Sequence, residues 1–180
     1  MPSLDAQIDF LYQQPLDQFV PARNALAKSL NGDKRVRALA KPAVAAWAVN
    51  QVYWRDRAAY ERLVKSGVRL RSAQISALEG KKANVAGAGA AHRQAVADAV
   101  SQAQKLAAAA GAAPDADALM RTFEALSLAA TPPDPPGRLT GALQPAGFEA
   151  LAGVKPAGAG AMVRLPVPRP GGGSRPIPSR

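Results

Sequence analysis

Residues 42–54 read PAVAAWAVNQVYW. The stretch carries no charge, although the whole chain has a formal net charge of +10. Pro42 suits the first turn of a helix, where its missing N–H is no loss. At about 100° per residue, Ala43, Val44, Trp47 and Trp54 share one face and Ala45, Val49 and Val52 lie opposite. A helix that is apolar all round is a buried one. The spacing therefore predicts a central buried helix over 42–54, returned to water by Arg55-Asp56-Arg57. The fold class follows: an all-α helical bundle assembled around a tryptophan helix.

Working outward from this helix gives its neighbours. Upstream, Ser3 caps a short helix through Leu11 that stops at Gln14-Pro15. A second helix, PARNALAKSLN, opens on Pro21, with Leu26 and Leu30 continuing a stripe begun by Phe19. Gly32 caps its end, and Asp33 caps KRVRALAK, which sets Val36 and Leu39 against a cluster of bases. Downstream, 58–79 reads as an amphipathic helix. Tyr60, Leu63, Val64, Val68, Ile75 and Leu78 form its apolar face, and Arg62, Lys65 and Arg69 its polar one. Gly67 weakens the case for an unbroken rod.

A long alanine-rich helix follows over about 83–110, with a seam of Val85, Gly89, His92, Val96, Val100, Ala103 and Leu106. Pro114, Asp115 and Asp117 open a further helix striped by Ala116, Leu119, Phe123 and Leu126. TPPDPPG at 131–137 ends regular structure. No run alternates with period two, so no sheet is expected. The expected organisation is a helical bundle over 1–130 and a proline-rich linker with a short docking segment over 131–152, using Leu139, Leu143, Phe148 and Leu151. A disordered basic Gly/Pro/Arg tail is expected over 153–180.

The stretches FVPARNALAKSL, KPAVAAWAVNQ, RLRSAQISAL and GRLTGALQPAGFEAL occur in that order, and together they resemble a family of small helical bacterial proteins of unknown function. KPAVAAWAVNQ, residues 41–51, is the most specific of them. The resemblance spans roughly residues 5–151. It implies helical architecture and carries over no catalytic residue. The segment before Lys41-Pro42 is short against that pattern, which implies an abbreviated early hairpin.

Composition narrows the chemistry. The chain has no cysteine and a single histidine. Disulfides, thiolate ligands, cysteine nucleophiles and paired-histidine metal sites are therefore excluded. His92 falls on the alanine-rich seam, where a packing role outweighs that of a general base. The carboxylates show no inward pairing of the kind a di-metal bundle needs. GAGAAH at 87–92 lacks the Lys-Ser/Thr ending of a phosphate loop and any preceding strand. The expectation is a protein without enzymatic activity, cofactor or metal. With no signal-like start and no long apolar run, a cytoplasmic location away from membrane is expected.

Polar residues inside the apolar set raise a different question. Asn50 and Gln51 fall toward the tryptophan face, and Arg71 sits within the apolar arc of helix 58–79. Buried polar groups need partners. The expectation is structural: Arg71 reaches the amide of Asn50 or Gln51 and fixes the register of two helices, with Trp47 and Trp54 as core. A polar pocket between the tryptophans is the functional alternative.

Charge gives the strongest functional lead. Residues 21–82 hold fourteen bases and four acids, and residues 161–180 hold four arginines and no acid. The candidate nucleic-acid-binding residues are Lys34, Arg35, Arg37, Lys41, Arg55, Arg57, Arg62, Lys65 and Arg69, together with Arg164, Arg169 and Arg175 in the tail. Arg23, Lys28 and Arg180 belong to the same basic set. Without a recognition-helix or stacking signature, binding to DNA or RNA is expected to tolerate sequence. The alternative is a protein-interaction or scaffolding module that pairs with a protein partner, or with itself as a homo-oligomer, through the alanine-rich seam.

Overall fold

A computed structural model describes residues 2–145. Among them are seven helices and no strand: α1 (Leu4–Gln13), α2 (Phe19–Ser29), α3 (Lys34–Arg37), α4 (Val44–Arg55), α5 (Arg57–Leu78), α6 (Val85–Ala109) and α7 (Ala116–Leu128). The all-α bundle is as expected. Phe148 and Leu151, and with them the tail and its arginines, lie outside the described residues.

The helix ends follow local chemistry. Ser3, Asp33, Asp56, Asn84 and Asp115 each accept a backbone N–H of the first turn they precede, so orphan donors are satisfied at five starts. Gly32, at φ +81°, turns the chain after α2, and its N–H reaches back to the Ala27 carbonyl. The basic helix after Asp33 is shorter than its sequence suggests, ending at Arg37. Pro21 sits at the third helical position, not the first, which still needs no N–H.

Two apolar clusters build the molecule. The main core joins α4, α5, α6 and α7 through Trp47, Val49, Val52, Leu63, Val96, Ala103, Leu119 and Phe123. A smaller cluster of Leu11, Tyr12, Phe19, Ala27 and Val36 joins α1, α2 and α3. Every residue of α4 from Ala45 to Val52 is buried, Asn50 and Gln51 included. The tryptophan helix is therefore the axle of the bundle, with two adjustments. It begins at Val44 instead of Pro42, because Ala43 is extended and gives its N–H to the Thr140 carbonyl. Val44 itself is exposed and Trp54 only half-buried.

Helix α5 is one unbroken rod, and Gly67 explains why. A Cβ there would lie 2.6 Å from the Ser127 carbonyl carbon, so the glycine is where α5 crosses α7 with backbones touching. The contact line runs through Ala59, Tyr60, Leu63, Ser66, Gly67 and Leu70. Val68, expected on that line, points away and is exposed, as is Leu78 near the helix end. The larger side chain suggested the wrong centre for the stripe: the smaller residue, Gly67, marks it. Along α6 the buried residues are Gly89, His92, Val96, Ala99, Ala103 and Ala107. They pack against α4, α5 and α7, so the small-residue seam is occupied within the chain.

After residue 130 the chain packs back on the bundle through Leu139 and Leu143. Gly137 and Leu139 are buried, and Leu139 belongs to the main core. Residues 137–143 form a non-helical strap across α4 and α7. A Gly67→Ala substitution is expected to destabilise the protein by about 1–3 kcal/mol through overpacking, measured by urea denaturation. A Val68→Ala substitution on the exposed side should stay within about 0.5 kcal/mol.

Candidate nucleic-acid interface

The sequence places many cations on short helices, and the structure sorts them. Lys34, Arg35, Arg37, Lys41, Arg55, Arg57, Arg62, Lys65 and Arg69 are all exposed. Lys41 lies in the link between α3 and α4; the other eight divide among three places. Lys34, Arg35 and Arg37 ride on α3, which is anchored to the small N-terminal cluster by Val36. Arg55 and Arg57 flank the α4–α5 corner. Arg62, Lys65 and Arg69 follow one another along the outer side of α5.

Local partners change what each cation can offer. Arg35 is tied to Asp33 at 2.9 Å. That same hydrogen bond, with help from the Arg35 N–H, holds the Asp33 carboxyl down at about 2, so Arg35 is largely spent on its own helix cap. Arg55 donates to Gln51 Oε1 at 3.2 Å. Arg57 stacks on the Tyr53 ring, 3.6 Å from its centroid, and retains its charge. Lys65 makes a loose 3.8 Å contact with Glu61, both exposed, a pairing that contributes little in water. Arg23, from the same basic set, is turned inward and donates to the Leu39 carbonyl at 2.8 Å.

The α5 row borders a groove. Helices α5 and α6 run antiparallel, as shown by Asp56 accepting from Gln102 at one end and Leu70 lying beside Gly89 at the other. Between them is an open trough of about 380 Å³ lined by Arg62, Lys65 and Arg69 from α5 and by Gln94 and Asp98 from α6, over a floor of alanines and Ser66. The trough continues past Ser101 and Gln102 to Lys105. Sequence reasoning missed Lys105 and Asp98. Their own helix gives no sign of the groove, because only the pairing of α6 with α5 brings them to Arg62. Asp98 accepts from Gln94 at 2.9 Å, and Asp56 lines the continuation, so two carboxylates stand beside four cations.

Asn50, Gln51 and Arg71 are arranged differently from the expectation. Arg71 does not reach either amide; it donates to the Leu128 carbonyl at the end of α7. Asn50 instead pairs with the strap: its amide donates to the Leu139 carbonyl at 2.8 Å and accepts the Leu139 N–H at 2.9 Å. Gln51 donates to the Tyr12 carbonyl at 3.0 Å. Trp47 Nε1–H donates to the Gln14 carbonyl at 2.8 Å, and Trp54 Nε1–H to the Gly137 carbonyl at 3.0 Å. Both amides and both indoles of the motif thus bind backbone groups, at the end of α1 and in the strap, so they are committed to holding the chain. A small surface recess lies beside Trp47, Gln51 and Arg55.

His92 is buried, with Nε2 2.8 Å from Ser127 Oγ across the α6–α7 contact. Burial lowers its pKa, opposed by the nearby Glu124 charge. Among the described residues no group of three or more His, Cys, Asp or Glu is placed to hold a metal ion, and no helix is long and apolar enough to cross a membrane. Comparison with family models, curated proteins and solved structures finds no match to this chain.

Two measurements test this account. Asn50→Ala leaves both Leu139 backbone groups unpaired in the core and should cost about 2–4 kcal/mol in urea denaturation, whereas Arg71→Ala should cost clearly less. His92 binds its proton less readily in the folded chain than in the unfolded one. Its contribution to stability is therefore complete above the unfolded pKa of about 6.5 and is lost as pH falls below it toward the lower folded value. A series of melts across that window should show His92→Gln flattening the acid-side slope.

Proposed function

We propose that the protein binds nucleic acid with low sequence specificity through the outer faces of its basic helices, centred on the α5–α6 groove. The observation that carries this reading is the row of Arg62, Lys65 and Arg69 along one edge of an open groove, with Lys105 at its far end. None of these four is buried. A phosphate backbone requires cations on a continuous surface, each releasing condensed counterions on contact. The groove offers charge and small side chains without a projecting helix that would read base edges, which fits binding that tolerates sequence.

Arg55 and Arg57 extend the cationic surface at the α4–α5 corner. The α3 cations serve as a secondary contact, weakened by the Asp33–Arg35 pair. The pairing alternative gains no surface from this arrangement, because the α6 seam is covered by the chain's own helices.

The test is a binding isotherm at several ionic strengths, using DNA in both duplex and single-stranded form. Affinity should fall linearly on a log–log plot against salt. Replacing Arg62, Lys65 and Arg69 together by alanine should reduce the magnitude of that slope by about 2–3. Absence of binding to either form at roughly 50 mM salt would refute the reading.

A further inference from the structure

The α5–α6 groove has a second property beside its charge. Its floor is Ala59, Ser66, Ala91 and Ala95, and neither it nor its continuation to Lys105 is lined by an aromatic side chain. Among the described residues, Phe10 is exposed on α1 but does not line the groove, and most other rings are committed elsewhere. Tyr12, Phe19, Trp47, Tyr60 and Phe123 are buried. Tyr53 stands edge-on to both Trp54 and Tyr60 and is covered by Arg57.

Proteins that hold single strands do so largely by stacking bases on aromatic faces along a cationic track. This groove has the track without the faces. What remains is attraction to phosphates, and that attraction depends on charge density. A duplex carries one charge per about 1.7 Å of its axis, against about 3.4 Å along one strand, and each neutralised phosphate releases more counterion from duplex than from single strand. The row from Arg62 to Arg69 spans seven residues of α5, about 10 Å, and α5 is one continuous helix packed against α6 and α7. A rigid row suits a stiff duplex backbone better than a flexible strand, which must lose conformational freedom to follow it.

We infer that the α5–α6 groove selects double-stranded nucleic acid, held by its phosphates, over single strands. This rests on the nucleic-acid reading above and adds the class of substrate. Asp98 provides an internal gauge of occupancy. It lines both halves of the groove, so a phosphate seated there meets its carboxylate. Neutralising it removes a repulsion while leaving an oxygen to accept from Gln94.

The experiment titrates the full chain with a short DNA duplex and, separately, with each of its isolated strands, by fluorescence anisotropy at roughly 50 mM salt. Duplex binding is expected to be at least about ten-fold tighter. Asp98→Asn should tighten duplex binding several-fold, and the combined Arg62→Ala, Lys65→Ala, Arg69→Ala variant should lose most of the duplex advantage. The four positions are exposed, and circular dichroism checks that each variant remains helical.

Strands that bind as tightly as duplex would overturn the selectivity while leaving the nucleic-acid reading standing. Unchanged duplex binding in both the Asp98→Asn and triple-alanine variants would remove the groove as its location. Polyglutamate of matched charge displacing the duplex as effectively as unlabelled duplex would replace nucleic acid by an acidic protein partner. No binding of duplex or strand would overturn both this inference and the reading beneath it.

Discussion

The fold depends on a pair of hydrogen bonds between one side-chain amide and one backbone residue. Asn50 offers its carbonyl oxygen to the Leu139 N–H and its NH₂ to the Leu139 carbonyl, all of it buried. An extended segment cannot enter a helical core without satisfying its backbone groups, and the surrounding helices have none to spare. Asn50 supplies both partners at once, as a neighbouring strand would. Leu139 can then place its side chain among Trp47, Val49 and Phe123 in the main core.

The rest of the strap is held by the same economy of contact. Trp54 takes the Gly137 carbonyl, and Gly137 at φ +80° lies so close to Tyr53 and Trp54 that any side chain there would collide with their rings. Ala43 donates to Thr140, and the Thr122 hydroxyl accepts the Leu143 N–H. Arg138 reaches across to Asp9 and Asp5 on α1, at 2.6 and 3.2 Å, so the strap also ties the N-terminal layer to the bundle. On the other side of α4, Trp47 and Gln51 secure the elbow after α1 through the Gln14 and Tyr12 carbonyls. One helix thereby organises both the strap and the end of α1.

This explains which parts of the structure were legible in the sequence. Helix α4 announced itself by its lack of charge, and the caps at Ser3 and Asp33 by residue type. The partners of Asn50 and Gln51 were not legible. Buried amides demand hydrogen bonds, but helical geometry suggests a side chain on a neighbouring helix, and Arg71 was the obvious candidate. The true partners are backbone groups at residues 139 and 12, which no side-chain pattern reveals. Gly67 misled for a related reason: a glycine inside a helix reads as a weakness, whereas here its missing Cβ lets α5 cross α7 with backbones in contact. The basic residues were legible as a set. Their division into an α3 group, a corner and a groove was not, because it depends on how α5 turns against α6.

The groove follows from that same packing. Gly67 brings α5 hard against α7, and Leu63, Ser66 and Leu70 fill the line of contact. The angular position of the helix is then fixed, and the residues off that line must face water. Arg62, Lys65 and Arg69 are those residues on the side toward α6. The alanines of α6 are too short to cover them, so an open trough remains where a larger side chain would have closed it. A small-residue core thus has two consequences from one cause. It lets the helices approach closely inside the bundle, and it leaves the cations of α5 exposed along its outer edge.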